Sequence, residues 1–128
     1  MFNFYNPNPK MKREDDCVIR AIAKATGLDW DSVYARVVAQ GYEAKAMPST
    51  NHVWSALLRK LGFKRRTIPN TCPDCYTVAD FCKDNPQGVY ILATGSHVVT
   101  AIDGNYFDTW DSGEEVPVIY FTKEQVNG

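Results

Sequence analysis

The sequence predicts an α+β fold in which helices come first and a mostly antiparallel sheet follows. Apolar residues recur at helical spacing up to about residue 84, whereas continuous apolar runs rich in β-branched and aromatic residues follow Gly88. The 128 residues are 45% hydrophobic and contain no repeat, low-complexity tract or linker. One domain spanning residues 1–128, with its own apolar core, is therefore expected.

Four helices are expected in the first part of the chain, each bounded by capping and stop residues. The expected N-terminal caps are Asp15 or Asp16, Asp29, Ser49 or Thr50, and Thr77, and the expected ends are Gly27, Gly41, Gly62 and Asn85. Residues 1–13 contain two Asn-Pro pairs and show no periodicity. They predict an extended N-terminal arm.

Strand signals dominate after Gly88. Residues 89–93, "VYILA", form a continuous apolar run that is typical of a central strand. Residues 97–103 and 105–110 flank Gly104 and predict a hairpin. Residues 116–121, "VPVIYF", predict the last strand, and Pro117 near its start suggests an edge position.

Charge and hydropathy narrow the range of partners and compartments. The formal net charge is −1, and the basic clusters at residues 10–13 and 64–66 are short, so they are expected to be solvated surface. No nucleic-acid or membrane partner is expected. No apolar stretch has membrane-spanning length and the N-terminus lacks a signal-peptide core, which favours a cytoplasmic protein in whatever cell makes it. The four cysteines are then expected to be free thiols.

Three residues together provide the parts of a thiol-based catalytic site. Cys17 follows the carboxylates of residues 14–16 and begins a helix, where the helix dipole and unpaired N–H groups stabilise a thiolate. His97 begins a strand and can exchange a proton with the thiol, while Asp108 in the next strand can orient the imidazole. Cys17, His97 and Asp108 are the candidate catalytic residues.

The motifs around these residues resemble the papain-like cysteine peptidase superfamily. "HVV" at residues 97–99 is similar to the histidine motif of papain, and "DTW" at residues 108–110 to its "NSW" motif. "EDDCVIRAIA" at residues 14–23 is similar to the nucleophile motif of ovarian-tumour deubiquitinases, and a small, often phage-encoded papain-like group shows both ends of the pattern. The resemblance implies a papain-like fold, cleavage of a peptide or isopeptide bond, and shielding of the histidine contact by Trp110.

Two site assignments stay open at the level of sequence. Met11 occupies the position of the family's oxyanion glutamine, so Asn6, Asn8 or the backbone N–H of Cys17 is expected to provide that donor. The hairpin turn decides which aspartate faces His97. A two-residue turn favours Asp108, and a three-residue loop presents Asp111 instead.

Cys72 and Cys75 form a C-x-x-C pair that suggests a rival site. One such pair is half of a structural zinc site, which His52 or His97 would have to complete. A thioredoxin-like redox role requires a βαβ context that is not predicted here. Structural thiols are favoured for this pair and for Cys82, and neither a metal nor a cofactor is expected.

Three functions follow, in decreasing order of support. The first is a papain-like cysteine hydrolase acting on a polypeptide, with its pocket walls formed by the arm and residues 42–52. The second is an inactive papain-like protein that binds a protein partner, such as a phage-encoded modulator of a host protein. The third is a zinc-stabilised nucleic-acid-binding module, which the near-neutral charge disfavours.

Overall fold

The structure is a computed structural model that describes residues 1–123. This part of the chain contains four helices and six strands. The helices are α1 (Cys17–Thr26), α2 (Trp30–Ala44), α3 (Asn51–Lys60) and α4 (Val78–Asp84). The strands are β1 (Phe2–Phe4), β2 (Lys64–Thr67), β3 (Val89–Ala93), β4 (Val98–Ile102), β5 (Asn105–Asp108) and β6 (Ile119–Thr122). The predicted α+β class is confirmed. Within this part of the chain, no helix has both the length and the apolar content needed to cross a membrane.

The strands form a single mixed sheet in the order β1-β5-β4-β3-β6-β2. The β1–β5 pair is parallel and the other four pairs are antiparallel, so the prediction of a mostly antiparallel sheet is confirmed. As expected for a continuous apolar run, β3 is central and pairs on both sides, with β4 and with β6.

The sheet is covered on both faces. Helices α1, α2 and α3 pack on one face against Ile91, Ala93, Val98 and Phe121. Helix α4 packs on the other face against the alternating side chains Leu92, Val99, Ala101 and Tyr106. A buried hydrogen bond of 2.6 Å from the Thr100 hydroxyl to the carbonyl of Ala21 joins α1 to β4. The start of α1 is thereby fixed over the strands that carry His97 and Asp108.

Two strands were not predicted from the sequence. The arm of residues 1–13 begins with β1, whose Phe2 lies opposite Tyr106 on β5. Strand β2 consists of four exposed residues, "KRRT", of which three are basic. Both strands are short edge strands, and their positions depend on a neighbouring strand's unpaired backbone rather than on a local hydrophobic pattern.

The expectation that the last strand lies at an edge is wrong. Strand β6 lies between β3 and β2. Pro117 precedes the first paired residue, Ile119, so its missing N–H removes no hydrogen bond from the ladder.

The helix ends agree with the predictions except at Gly41. Gly27 ends α1 in the left-handed conformation, at φ 77°, and Thr77 with Asp80 forms a capping box at the start of α4. Helix α2 continues past Gly41 to Ala44. Gly41 lacks a side chain for a packing reason, because an added Cβ would lie 2.9 Å from the carbonyl oxygen of Ala46.

Candidate active site

Cys17 is the first residue of α1 and is partly buried at the wall of an open cavity of about 1390 Å³. Asp16 occupies the N-cap position, as predicted, but its side chain does not cap the helix. Its carboxylate instead accepts hydrogen bonds from Arg20 and from Nε1 of Trp30, the latter at 2.9 Å. The first N–H groups of the helix therefore have no side-chain acceptor beside the thiol.

His97 lies immediately before β4 and is fixed by a tight turn that begins at Thr94. The Thr94 hydroxyl accepts hydrogen bonds from the backbone N–H of His97 at 2.9 Å and of Ser96 at 3.2 Å. The N–H of Thr94 donates back to the carbonyl of His97 at 2.8 Å. The imidazole consequently projects from a rigid position at the edge of the same cavity.

Asp108, at the end of β5, contacts the His97 ring. The His97 Nε2 atom lies 2.6 Å from Asp108 Oδ2. The hairpin has a two-residue turn in which Asp103 and Gly104 have φ values of 50° and 80°, and Ile102 pairs with Asn105. This register brings the end of β5 beside the start of β4.

Asp111, the alternative to Asp108, makes no hydrogen bond to His97 within residues 1–123. Its carboxylate accepts from the Tyr106 hydroxyl and, at 3.0 Å, from the N–H of Gly113. It closes the loop after β5 and lies outside the lining of the cavity that holds Cys17.

Three further groups hold the Asp108 carboxylate, which is only 1% exposed. Ser112 Oγ donates to Oδ2 at 2.8 Å, while the backbone N–H of Thr109 and Nη2 of Arg20 donate to Oδ1 at 2.8 and 3.1 Å. Burial opposes ionisation of Asp108, but the hydrogen bonds from His97 and Ser112 outweigh it and lower its pKa. Asp108 is therefore a fixed anion at neutral pH.

The His97 ring is a cation well above neutral pH. Burial lowers the pKa of His97, but the hydrogen bonds to Asp108 and to the Cys17 side chain outweigh it, and the pKa rises to about 9. Because Asp108 occupies Nε2, the nitrogen left for Cys17 is Nδ1. The imidazole thus bridges a thiol at the start of a helix and a buried carboxylate.

Trp110 packs against the imidazole, with ring centroids 4.8 Å apart and an interplanar angle of 41°. The tryptophan is 44% exposed, so it covers the ring from the solvent side. The shielding role expected for Trp110 stays a prediction.

Of the two asparagines considered as oxyanion donors, Asn8 lines the cavity of Cys17 and Asn6 does not. It is buried, and its Oδ1 accepts from the N–H of Lys10 at 2.8 Å. The amide of Asn6 instead donates to the carbonyl of Lys12 at 3.1 Å and fixes the arm. Met11 is 64% exposed and lies outside the cavity lining. The side-chain amide of Asn8 is therefore the arm donor best situated to serve Cys17.

The remaining cysteines are not brought to this site. Cys72 and Cys75 form a disulfide, so the expectation that they are free thiols is wrong. Neither residue lines the cavity, whereas His52 and His97 do, so the structure does not assemble the zinc ligands considered for the pair. Cys82 is free and buried, and burial raises the pKa of its thiol. In residues 1–123 no group of three His, Cys, Asp or Glu side chains is arranged to hold a metal ion.

Sequence reasoning missed two residues of the site, Arg20 and Ser112. Arg20 lies within a run of buried residues on α1 and is itself only 5% exposed, but the sequence gives no signal of this, because Arg20 and Lys24 are four residues apart, as on a solvated helix face. Ser112 follows the hairpin in a loop and carries no signal in the sequence either.

Comparisons of the chain with protein-family models, with curated proteins and with solved structures give no match. Any function for the chain is therefore inferred from the geometry of its site.

Proposed function

We propose that the protein is a cysteine hydrolase that cleaves a peptide or isopeptide bond, with Cys17 as nucleophile, His97 as general acid and base, and Asp108 as the orienting residue. The observation that carries the proposal is the 2.6 Å contact between His97 Nε2 and Asp108, with the Cys17 side chain in the same cavity and close enough to raise the pKa of the His97 ring. Thiol hydrolases require these three groups in this order of contact.

Acylation would begin from the ion pair of a Cys17 thiolate and a His97 imidazolium. The thiolate attacks the carbonyl carbon of the scissile amide, and the electron pair of the C=O bond moves to oxygen. When the C–N bond breaks, the leaving amine takes a proton from Nδ1 of His97. The products of this half-reaction are a free amine, an acyl thioester on Cys17 and a neutral imidazole.

Deacylation would reverse the roles of the imidazole. Neutral His97 accepts a proton from water while the water oxygen attacks the thioester carbon. The C–S bond then breaks, which releases the carboxylic acid product and restores the thiolate–imidazolium pair. Asp108 keeps Nε2 protonated throughout, so that Nδ1 is the nitrogen that exchanges the proton.

The developing oxyanion would be stabilised by the backbone N–H of Cys17 and the side-chain amide of Asn8. The first is an unpaired helix N-terminal donor, and the second comes from the arm that borders the same cavity. A papain-like fold is consistent with this arrangement, because a cysteine at the start of a helix faces a histidine carried by an antiparallel sheet.

The test is to incubate the protein with a peptide library of random sequence and to identify new termini by mass spectrometry. The wild-type protein is expected to generate them, whereas Cys17→Ala and His97→Ala should not. Asp111→Asn is the matched control and should retain cleavage. Intact peptides after prolonged incubation with wild-type protein, or cleavage that survives Cys17→Ala, would reject the hydrolase and leave a binding protein as the alternative.

A further inference from the structure

The cavity that contains Cys17 extends to two arginines that the proposed chemistry does not use. Arg59 lies in the last turn of α3 and Arg65 lies on β2, and both are exposed residues of the cavity lining. Within residues 1–123 neither side chain has a carboxylate partner. Two guanidinium groups therefore line the cavity without a carboxylate partner among the described residues.

The helix and the sheet direct these arginines into one groove. Asn51, Ser55 and Arg59 are four residues apart on α3 and all line the cavity, so one polar stripe of the helix forms a wall. Arg65 lies opposite Phe121, which packs in the core between the sheet and α1–α3. Arg65 is therefore on the face of the sheet that α1–α3 cover.

The acidic residues of the lining are concentrated near the other end. Glu14, Asp15 and Asp16 immediately precede Cys17, and Asp31 follows Trp30, which donates to Asp16. No carboxylate of the lining belongs to α3, β2 or β6. The part of the groove lined by α3, β2 and β6 thus carries two arginines and no carboxylate.

The strand order gives the distance between His97 and Arg65. Going from β4, which begins beside His97, to β2 crosses β3 and β6, which makes three strand spacings. At about 4.8 Å each this is roughly 14 Å. An extended peptide rises about 3.3 Å per residue, so this distance corresponds to about four residues.

We infer that Arg59 and Arg65 form an anion subsite that selects polypeptide substrates carrying a carboxylate about three to five residues from the scissile bond. Guanidinium groups bind carboxylates through paired N–H donors, which gives both charge and geometric selectivity. This inference rests on the proposed hydrolase function for its substrate but on different residues for its chemistry.

The test aligns the sequences around the bonds that the wild-type protein cleaves in the random library. Asp and Glu are expected to be enriched at one position three to five residues from the bond, on one side only. Arg59→Gln/Arg65→Gln should lower kcat/KM for such peptides about five- to tenfold while leaving neutral peptides unchanged. Arg36→Gln is the matched control, because Arg36 is exposed on α2 and lies outside the cavity lining.

A pair of matched peptides distinguishes the source of the carboxylate. One carries Glu at the selected position with an amidated C-terminus, and the other carries Gln there and ends in a free C-terminal carboxylate at that distance. If the wild-type protein prefers the Glu peptide, the subsite binds a side-chain carboxylate. If it prefers the peptide with the free C-terminus, the subsite binds a terminal carboxylate. Either preference should be lost in Arg59→Gln/Arg65→Gln.

Binding of the same peptides to the Cys17→Ala variant separates failure of the subsite from failure of the hydrolase. Cleavage without acidic preference would overturn the subsite and leave the hydrolase standing. Arginine-dependent binding of acidic peptides without any cleavage by wild-type protein would keep the subsite and reject the hydrolase. Neither cleavage nor such binding would overturn both.

Discussion

Arg20 Nη2 lies 3.1 Å from Asp108 Oδ1, the carboxylate oxygen that His97 does not use. Nη1 of the same guanidinium contacts Asp16, the residue that directly precedes Cys17. One buried cation therefore connects the start of α1, which carries the thiol, to the end of β5, which carries the orienting carboxylate. Arg20 is a positioning residue for two members of the proposed triad.

Replacing Arg20 is expected to destabilise the fold strongly. Arg20→Met leaves Asp16 buried without its cation and Asp108 paired with His97, and a broken buried pair costs about 3–5 kcal/mol of unfolding free energy. Arg20→Lys retains the charge but not the two guanidinium nitrogens that contact Asp16 and Asp108, so it should lose less unfolding free energy than Arg20→Met. Denaturant titrations measure both, with exposed Arg36→Met as the control within about 0.5 kcal/mol of wild type. A loss below about 1 kcal/mol for Arg20→Met would contradict this role.

The two aspartates after the hairpin turn should differ sharply in their effect on peptide cleavage. Asp108→Asn removes the anion that fixes the His97 ring and is expected to lower kcat/KM by about 10²- to 10⁴-fold. Asp111→Asn alters only the contacts with Tyr106 and Gly113 and should change kcat/KM less than about threefold. Comparable losses in the two variants would mean that the loop geometry, rather than the His97 contact, sets the activity.

Asn8 should affect turnover more than substrate binding. Asn8→Ala removes a proposed oxyanion donor and is expected to lower kcat by about 10²-fold with little change in KM. Asn8→Asp keeps an oxygen acceptor for the N–H of Lys10 but replaces the amide donor with a negative charge, so it should lose at least as much. Near-normal kcat in Asn8→Asp would show that the amide does not serve the oxyanion.

His97 should make the free energy of unfolding depend on pH. Its pKa is raised from 6.5 to about 9 in the folded protein. The resulting stabilisation is complete below pH 6.5 and is lost as the pH rises through about 9. The free energy of unfolding of Cys17→Ala should therefore fall across this window relative to Cys17→Ala/His97→Gln. The Cys17→Ala background is used because a proton passed from Cys17 to His97 would offset the change, whereas the Asp108 contact that raises the His97 pKa remains.

Other titrating groups do not obscure that comparison. The lowered pKa of Asp108 acts in the acid range, where its stabilisation is lost as the pH falls through the folded value. The buried Cys82 thiol is present in both proteins, so its contribution cancels in the difference. Parallel stability curves for Cys17→Ala and Cys17→Ala/His97→Gln between pH 6.5 and 9 would show that the contact with Asp108 does not raise the pKa of His97.

Local patterns in the sequence were sufficient for the helices and for the hairpin. Helical spacing and capping residues located α1 to α4, and the Asp-Gly turn fixed the register that joins His97 to Asp108. The edge strands β1 and β2 depend on backbone pairing with distant segments, which no local pattern records. Gly41 was misread as a stop because its role, close approach of the chain at Ala46, is tertiary.

The disulfide and the carboxylate network illustrate the same limit. The spacing of Cys72 and Cys75 is compatible with thiols, a metal site or a disulfide, and only the folded loop distinguishes them. Ser112 reaches Asp108 through the loop after β5, so its contact depends on the path of that loop. Arg20 lies four residues before Lys24 on α1, a spacing that predicts a solvated stripe, so its burial depends on the tertiary contacts with Asp16 and Asp108.

The most direct test of the central claim is the rate of alkylation of Cys17 by iodoacetamide, measured by peptide mapping at mildly acidic pH. Cys17 and Cys82 are the free thiols of the described chain, and Cys82 is buried with a raised pKa, so it provides an internal reference. Cys17 is expected to react at least tenfold faster than Cys82, and His97→Ala should slow the reaction of Cys17 at least tenfold while leaving that of Cys82 unchanged, because the imidazolium stabilises the thiolate. A rate of Cys17 alkylation that His97→Ala leaves unchanged would contradict the thiolate–imidazolium pair and the function proposed from it.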